Sequence, residues 1–483
     1  MKKTIDQYSA FLQACFMIIA FMLAMVSEDA KHLLLQWVSL SLLWAMTLWR
    51  LAQSKHSYLS LRKDNVFWSY LLFVAWAVFS SFFLSSAKFI SILMLIPFIG
   101  GLFSYFIAYT GNERKERYFD QLLLVIGLLL VVYTCYQKFY LGISRPIGLL
   151  MNWNSHAALL AMLVLPWVLI YALKPVLAVW KMTLLSLIAG LFAFAMGLTL
   201  SRGALLIPIL SLFCLLLFVW RQKLSFRPSF TFITALILGI LLTSFFSGET
   251  LVQRLDVVSH ADSLAAIGSG RHLLWLPAWQ MYLDKPFIGW GLGTFQFLHA
   301  QYKPLSSGEL GAFAHNDYLQ FLLELGPIGL VLFVVFVMFL VIRLVDLILS
   351  KNTDTSAYSV QAFAFLAISL GMLAHTFFTF HFYHLTLQLL FAYYLGRSAR
   401  YFHLLKSEES TVNTGNIPQQ KTGLLYRSFA VIVSVLMLSF GISFYYLKQA
   451  DQALNDQARL DAYWQASLFF PALDYYDSFG SFL

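Results

Sequence analysis

The sequence predicts an all-α protein, a polytopic transmembrane helical bundle with one large extracytoplasmic loop between two groups of spans. Of its 483 residues, 60% are hydrophobic and 11% are charged, whereas a typical soluble domain has about 25% charged residues. Apolar runs recur along the chain, and each is long enough (roughly 20 residues) for an α-helix to cross a bilayer. Isolated strands are excluded as spanning elements, because lipid offers their backbone no hydrogen-bond partner.

The apolar runs predict about 12 or 13 spans and four regions. These regions are an N-terminal bundle at 1–247, a large outer loop at 248–326, C-terminal helices at 327–447 and a short outer tail at 448–483. The basic N-terminus resembles that of a signal peptide, but it lacks a convincing cleavage site and many spans follow, so we expect a retained first span. The predicted spans are 10–26, 33–53, 66–84, 88–110, 121–141, 156–173, 178–199, 203–220, 229–247, 327–349, 357–380, 383–398 and 425–447.

The distribution of lysine and arginine predicts the orientation of the chain. A net charge of +9 invites a nucleic-acid partner, but the basic residues lie between spans, where they determine topology instead. With the N-terminus in the cytoplasm, most lysines and arginines fall in alternate, cytoplasmic loops. The loop 248–326 then faces the outside, together with the short segments 145–155, 201–203 and 381–384.

Three arginines occur on the predicted outer side, where topology does not require basic residues: Arg145, Arg202 and Arg271. A guanidinium presents a planar fork of donors that matches phosphate oxygens in pairs, so three of them at one depth fit a diphosphate. The alternative is that each arginine meets a lipid headgroup or a local carboxylate. Arg202 favours a bound anion, because a very short turn near the hydrocarbon is a costly place for an unpartnered charge.

His315 is the candidate general base. Asn316 and Asp317 favour the start of a helix that would end at Gly326 and Pro327. The positive end of the helix dipole would disfavour a protonated ring, and a neutral histidine can accept a proton. A histidine that only caps the helix or bonds a carbonyl is the alternative, and spacing does not separate the two.

Two further elements of the loop carry no clear chemistry. The segment 273–283, with Trp275 and Trp279, predicts a helix whose tryptophans favour the membrane interface, a wall for lipid or sugar, or core packing. The glycines of 286–293 follow no predicted strand and are not a nucleotide-binding fingerprint. We expect them to form a turn that needs tight backbone geometry.

Four short motifs follow one another around the predicted loop. They are Ser201-Arg202-Gly203, Gly270-Arg271, the 286–293 glycine segment, and His315-Asn316 with Glu324 and Gly326. In this order they resemble the O-antigen ligase and polymerase superfamily (Wzy-C type), which includes O-antigen ligases and related protein O-oligosaccharyltransferases. The resemblance covers the chain from about residue 145 to residue 398.

The resemblance implies a glycosyltransferase that uses a glycan on a polyprenyl diphosphate, without a nucleotide sugar, a cofactor or a metal. Arg202 and Arg271 would bind the donor diphosphate, beside Arg145, and His315 would activate the acceptor hydroxyl or assist its orientation. The residues that would support this site are Asn316, Glu324 and Ser201.

Three activities occur in the superfamily, and the motifs do not separate them. The acceptor is the lipid A-core for ligases, the glycan for polymerases and a protein for O-oligosaccharyltransferases. Members of the last group often carry a longer outer C-terminal domain, whereas the tail after residue 448 is short. We therefore expect an O-antigen ligase in the bacterial inner membrane with its site facing the periplasm. A transporter is the non-enzyme alternative, although transporters place ionisable groups near the bilayer midplane.

Overall fold

The structure, a computed structural model, is helical throughout the part of the chain that it describes. The described residues are 2–27, 33–53, 60–174, 178–246, 271–302, 311–350, 357–409, 423–452 and 456–469. Within these ranges there is no strand, which confirms the predicted all-α class. Of the predicted loop 248–326, residues 248–270 and 303–310 lie outside the described ranges.

The helices are numbered in chain order. They are α1 (Lys2–Val26), α2 (Leu33–Gln53), α3 (Asn65–Phe79), α4 (Lys88–Leu93), α5 (Ile96–Tyr109), α6 (Glu113–Cys135), α7 (Trp153–Ala172), α8 (Val179–Leu198), α9 (Leu206–Arg221), α10 (Arg227–Leu242), α11 (His272–Asp284), α12 (Phe295–Tyr302), α13 (Asp317–Leu349), α14 (Ala357–His375), α15 (Leu385–Glu409), α16 (Gly423–Gln452) and α17 (Asp456–Phe469). Short π-helical turns extend α3 and α6, and 3-10 turns precede α9, follow α10 and follow α14.

Ten helical segments in the described ranges are long and apolar enough to cross a membrane, which confirms a multi-pass membrane protein. The predicted spans 33–53, 383–398 and 425–447 are not among the ten, although they are helical as α2, α15 and α16. The prediction for α15 was too short, because this helix runs to Glu409. Residues 410–422 lie outside the described ranges.

Buried ion pairs explain why α15 continues past its apolar segment. Arg397 donates to Asp120 at 2.6 Å, and Arg400 pairs with Glu116 through both guanidinium nitrogens. Two charges buried together are tolerated because they neutralise each other, whereas removal of one partner typically costs about 3–5 kcal/mol. α15 can therefore carry two arginines inside the bundle.

A further ion pair joins α13 to α3 at this same end of the bundle. Arg343, in the C-terminal half of α13, donates to Asp64 at 2.9 Å, and Asp64 also caps α3 through Phe67 N. His403 of α15 pairs with the other oxygen of Asp64 at 3.2 Å. Arg343, Arg397 and Arg400, which the predicted alternation of spans puts on the cytoplasmic side, thus gather at one end. The candidate site lies at the opposite ends of α13 and α15.

α13 contains a sharp break at Gly326. Asn316 caps the helix by accepting from Leu319 N at 3.1 Å, as predicted. Gly326 then adopts φ 69° and ψ −177°, and Pro327 follows. Only glycine adopts such a conformation readily, and a Cβ at Gly326 would lie 2.6 Å from the carbonyl oxygen of Phe287. The first turns of α13, before Gly326, therefore form a separate short helix at the end of the loop.

Candidate functional site

The turn between α8 and α9 places Arg202 at the end of the bundle. Leu200 has φ 56°, which reverses the chain after α8. The Ser201 hydroxyl donates to Asn154 Oδ1 at 2.6 Å, and Asn154 lies in the first turn of α7, which Asn152 caps. The predicted supporting residue Ser201 therefore fixes the turn that carries Arg202, which is half-buried.

A pair of buried histidines backs this turn. A Cβ at Gly203 would lie 2.9 Å from His375 Nε2, so the turn can pack against the ring only because residue 203 is glycine. His375 Nδ1 in turn lies 2.8 Å from His381 Nε2. Sequence reasoning missed both histidines, and the only available signal was the location of 381–384 on the predicted outer side.

Arg271 lies close to Arg202. It immediately precedes α11, and its guanidinium carbon is 5.8 Å from the centre of the Phe378 ring. Burial lowers the pKa of Arg271, and the positive charge of Arg202 lowers it further. Two guanidinium groups are thus close enough to repel each other, and an anion bound between them would relieve this repulsion.

His315 lies beside this arginine pair. Burial lowers the pKa of His315 to about 4, with further contributions from Arg271 and His384. The ring is therefore neutral at pH 7, as predicted, but the cause is burial and a nearby cation rather than the helix dipole alone. Its edge packs against Phe380 at 4.9 Å. Among the described residues no group pairs with His315 Nδ1, which is buried.

Three contacts hold the segment that carries His315. Ala314 N donates to the side chain of Gln320 at 2.7 Å, and Trp275 of α11 donates its indole N–H to the Ala314 carbonyl at 2.8 Å. The Phe313 ring stacks on Phe380 at 4.2 Å. His315 itself has φ 52°, an uncommon conformation that persists only where the surrounding structure determines it.

Glu324 lies at the centre of a buried hydrogen-bond network. Its Oε2 accepts from Gly293 N at 2.7 Å and from the Tyr383 hydroxyl at 2.6 Å. Its Oε1 accepts from Gln320 Nε2 at 2.8 Å and from Phe295 N at 3.2 Å. The carboxylate is fully buried and receives four donors, which suits a positioning role for this predicted supporting residue.

The glycine segment before α12 passes very close to this network. Gly289, Gly291 and Gly293 all have positive φ, at 70°, 103° and 72°. A Cβ at Gly289 would lie 2.6 Å from the Glu324 carbonyl oxygen. The expected turn with tight backbone geometry is therefore confirmed, and the reason for glycine is both its dihedral freedom and this close approach.

Arg145 lies on the other side of the Arg202 turn. Its Nε donates to the Thr199 carbonyl at 3.4 Å, and its guanidinium carbon lies 3.9 Å from the centre of the Trp153 ring. Asn154, which follows Trp153, accepts a hydrogen bond from the Ser201 hydroxyl. Arg145 thus borders the same turn, with its guanidinium stacked on an indole.

His384 is a further site residue that sequence reasoning did not select. Its Nε2 lies 2.8 Å from Ser155 Oγ, and its ring stacks on Phe380 at 5.1 Å. Phe380 therefore contacts both His384 and His315. Within the ranges that the structure describes, no three His, Cys, Asp or Glu side chains converge in a way that would hold a metal ion.

The fold and site together define a multi-pass helical membrane protein with two arginines and a neutral histidine gathered at one end of the bundle. Residues 187–334 match the family model described as O-Antigen ligase. The matched segment contains Arg202, Arg271, His315 and Glu324, and the match confirms the resemblance to the O-antigen ligase superfamily. The family implies a glycosyltransferase-type enzyme. No curated protein matches the chain.

Proposed function

We propose that this protein transfers a glycan from a polyprenyl-diphosphate carrier to an acceptor hydroxyl, and that it is an O-antigen ligase whose acceptor is the lipid A-core. The observation that carries the proposal is the proximity of Arg202 and Arg271, which border the same phenylalanine. The Cβ position of Gly203, next to Arg202, is 3.5 Å from Phe378 Cβ, and the Arg271 guanidinium carbon is 5.8 Å from the centre of that ring. A site that holds two guanidinium groups together beside a membrane is suited to a dianionic lipid headgroup.

The donor diphosphate binds to Arg202 and Arg271, with Arg145 at the border of the site. Both arginines are held by rigid elements, since Arg202 lies in a turn fixed through Ser201 and Arg271 begins α11. Such preorganised charges are effective because they need not reorganise as negative charge develops on the leaving group.

His315 accepts the proton of the acceptor hydroxyl. As the hydroxyl oxygen forms a bond to the anomeric carbon, the bond from that carbon to the diphosphate oxygen breaks. The proton passes to the His315 ring. Polyprenyl diphosphate is the leaving group, and Arg202 and Arg271 stabilise its negative charge. Burial lowers the pKa of His315, and the charge of Arg271 lowers it further. A bound diphosphate offsets the Arg271 charge and therefore makes the ring a stronger base.

Three residues support these groups without contacting the reacting atoms. Ser201 fixes the Arg202 turn, Asn316 caps the helix that follows His315, and Glu324 joins the glycine segment to that helix. Catalysis depends on such support, because displacements of about 1 Å can cost about 100-fold in rate.

Glycan analysis of a deletion strain tests the proposed acceptor. Loss of O-antigen from lipopolysaccharide, with full-length glycan retained on its lipid carrier, supports the ligase. A single repeat unit on the lipid A-core instead identifies a polymerase, and loss of glycan from proteins alone identifies a protein O-oligosaccharyltransferase. Unchanged glycans of all three kinds would contradict the enzyme and favour the transporter. Complementation by the intact gene is the control.

The location is proposed with the function. We place the protein in the bacterial inner membrane with its site on the periplasmic side, because the arginines predicted to be cytoplasmic gather at the end opposite the site. Reporter tags inserted in the segment 259–268 are expected to report the periplasm, and tags after Arg117 the cytoplasm. The reverse result would contradict both the topology and the proposed chemistry.

A further inference from the structure

One side of α11 exposes large apolar side chains, although α11 is not among the ten membrane-spanning segments. Leu276 and Leu283 are 66% and 57% exposed, and Phe287 in the next turn is 80% exposed. Spacings of three and four residues place Leu273, Leu276, Trp279 and Leu283 on one side of the helix. We call these four residues with Phe287 the exposed stripe. A contiguous set of this kind marks an interaction surface.

The opposite side of α11 packs on the candidate site. Ala278 and Met281 are buried in a small core that includes Ala314, next to His315. Trp275 donates to the Ala314 carbonyl at 2.8 Å, and Arg271 immediately precedes the helix. Any displacement of α11 therefore moves Arg271 directly and the His315 segment through the indole bond.

The exposed stripe continues into the membrane-facing surface of the bundle. The Phe287 carbonyl oxygen lies 2.6 Å from the Cβ position of Gly326, at the break in α13. Directly after this break, Ile328 and Val331 are 49% and 58% exposed on a membrane-spanning segment. Phe287 therefore lies beside the membrane-spanning segment Asp317–Leu349, close to the position from which its exposed apolar residues continue.

Polar groups border the exposed stripe along one edge. Asp284 is exposed beside it on α11, whereas Gln280 lies among its apolar members. Lys285 follows, and its ammonium donates to Ser86 Oγ at 3.0 Å, just beyond the span that ends at Leu84. An apolar face with a polar edge and a tryptophan is typical of a helix that lies in the membrane interface.

We propose that the exposed stripe docks into the acyl region of the adjacent lipid leaflet, and that this docking positions Arg271 and His315 for a membrane-embedded donor. The partner is bilayer lipid, because the stripe is continuous with the lipid-facing side of α13. The docking stands on exposure and continuity alone. Its effect on the site rests on the proposed function.

Spin labels in liposomes measure the docking without any assay of activity. In a background without the native cysteines, labels replace Leu276, Leu283, Val331 as the lipid reference, and Glu113, an exposed residue, as the water reference. We expect the labels at Leu276 and Leu283 to be more accessible to oxygen than to a water-soluble nickel chelate, as at Val331. Water-like accessibility overturns the proposal. Inaccessibility to both reagents also overturns it, because another part of the protein or a second copy then covers the stripe.

Charged substitutions test the positioning role. Leu276→Glu with Leu283→Glu should lower transfer about 10-fold or more, since displacements of about 1 Å can cost about 100-fold. Gln449→Glu, which adds a charge at an exposed position of α16 outside the stripe, should leave transfer unchanged. Unaltered transfer in the double variant overturns the positioning role. If the wild type itself transfers no glycan, the proposed function fails, and the spin labels still decide the docking.

Discussion

Replacement of Glu324 by glutamine is the most informative perturbation of the site, because the change is nearly isosteric and exchanges one acceptor oxygen for an NH₂ donor group. Four donors converge on the carboxylate: Gly293 N, Phe295 N, Gln320 Nε2 and the Tyr383 hydroxyl. An amide has one oxygen, so its NH₂ group must face two of these donors.

The network determines which way the amide turns. With the NH₂ group at the Oε1 position it faces Phe295 N and Gln320 Nε2, and Gln320 cannot flip without losing its bond from Ala314 N. With the NH₂ group at the Oε2 position, the Tyr383 hydroxyl can rotate and accept, and only Gly293 N stays unpaired. One buried unpaired donor costs about 1–3 kcal/mol, so we expect Glu324→Gln to lower the free energy of unfolding by about that amount.

Chemical unfolding of the purified protein in detergent micelles measures this loss. Glu113→Gln is the matched control, because Glu113 is exposed in the first turn of α6 and contributes less than about 1 kcal/mol there. Transfer should also fall in the Glu324 variant, since Gln320 joins Glu324 to the segment of His315. A variant as stable as the wild type would refute the four-donor network.

The remaining predictions concern the arginines, the base and the glycine turn. Arg202→Lys and Arg271→Lys should each lose most transfer while the protein still accumulates, because an ammonium lacks the planar fork; full transfer in both would count against donor binding. His315→Ala should lose roughly 100- to 10,000-fold in transfer rate with donor affinity largely kept, and near-normal turnover would leave His315 as a structural residue. Because the pKa of His315 is about 4, the ring stays deprotonated as pH falls to 5, so the kcat/KM of the wild type should show no His315-dependent decrease between pH 7 and 5; a decrease centred near 6.5 that His315→Gln abolishes would contradict the burial of this ring. Gly203→Ala should destabilise the protein by about 1–3 kcal/mol through overpacking against His375, measured by the same unfolding assay, and a neutral effect would contradict that contact.

The sequence contains enough information for the fold class but not for every helix boundary. Apolar runs predict spans because a bilayer demands length and apolarity, and ten helical segments meet that demand. Apolarity does not predict where α15 ends. The helix continues through Arg397 and Arg400 because Glu116 and Asp120 of α6 neutralise these charges. A local hydrophobicity pattern cannot reveal ion-pair partners that are more than 270 residues away in the sequence.

The residues of the candidate site also fall into two groups, those predictable from local sequence and those that depend on remote contacts. Arg202 and His315 were predictable because each lies in a local setting, a tight turn or a helix start, that makes its residue type unusual. His375, His381 and His384 were not selected, because their importance depends on contacts with Gly203 and Ser155 that are remote in sequence. Glu324 was predicted through the family resemblance, whereas its four donors come from three separate segments that only the fold brings together.

Under the proposed function, the arginine pair and the histidine act in a necessary order. Without donor, burial lowers the pKa of His315 to about 4, with a further contribution from the charge of Arg271, so the ring is a weak base at neutral pH. A bound diphosphate offsets the charge of Arg271, and this change raises the affinity of His315 for a proton. The base thus becomes effective when the donor is in place. Because the same anion completes the leaving-group site and activates the base, removal of either arginine should reduce turnover by more than the loss of donor affinity alone.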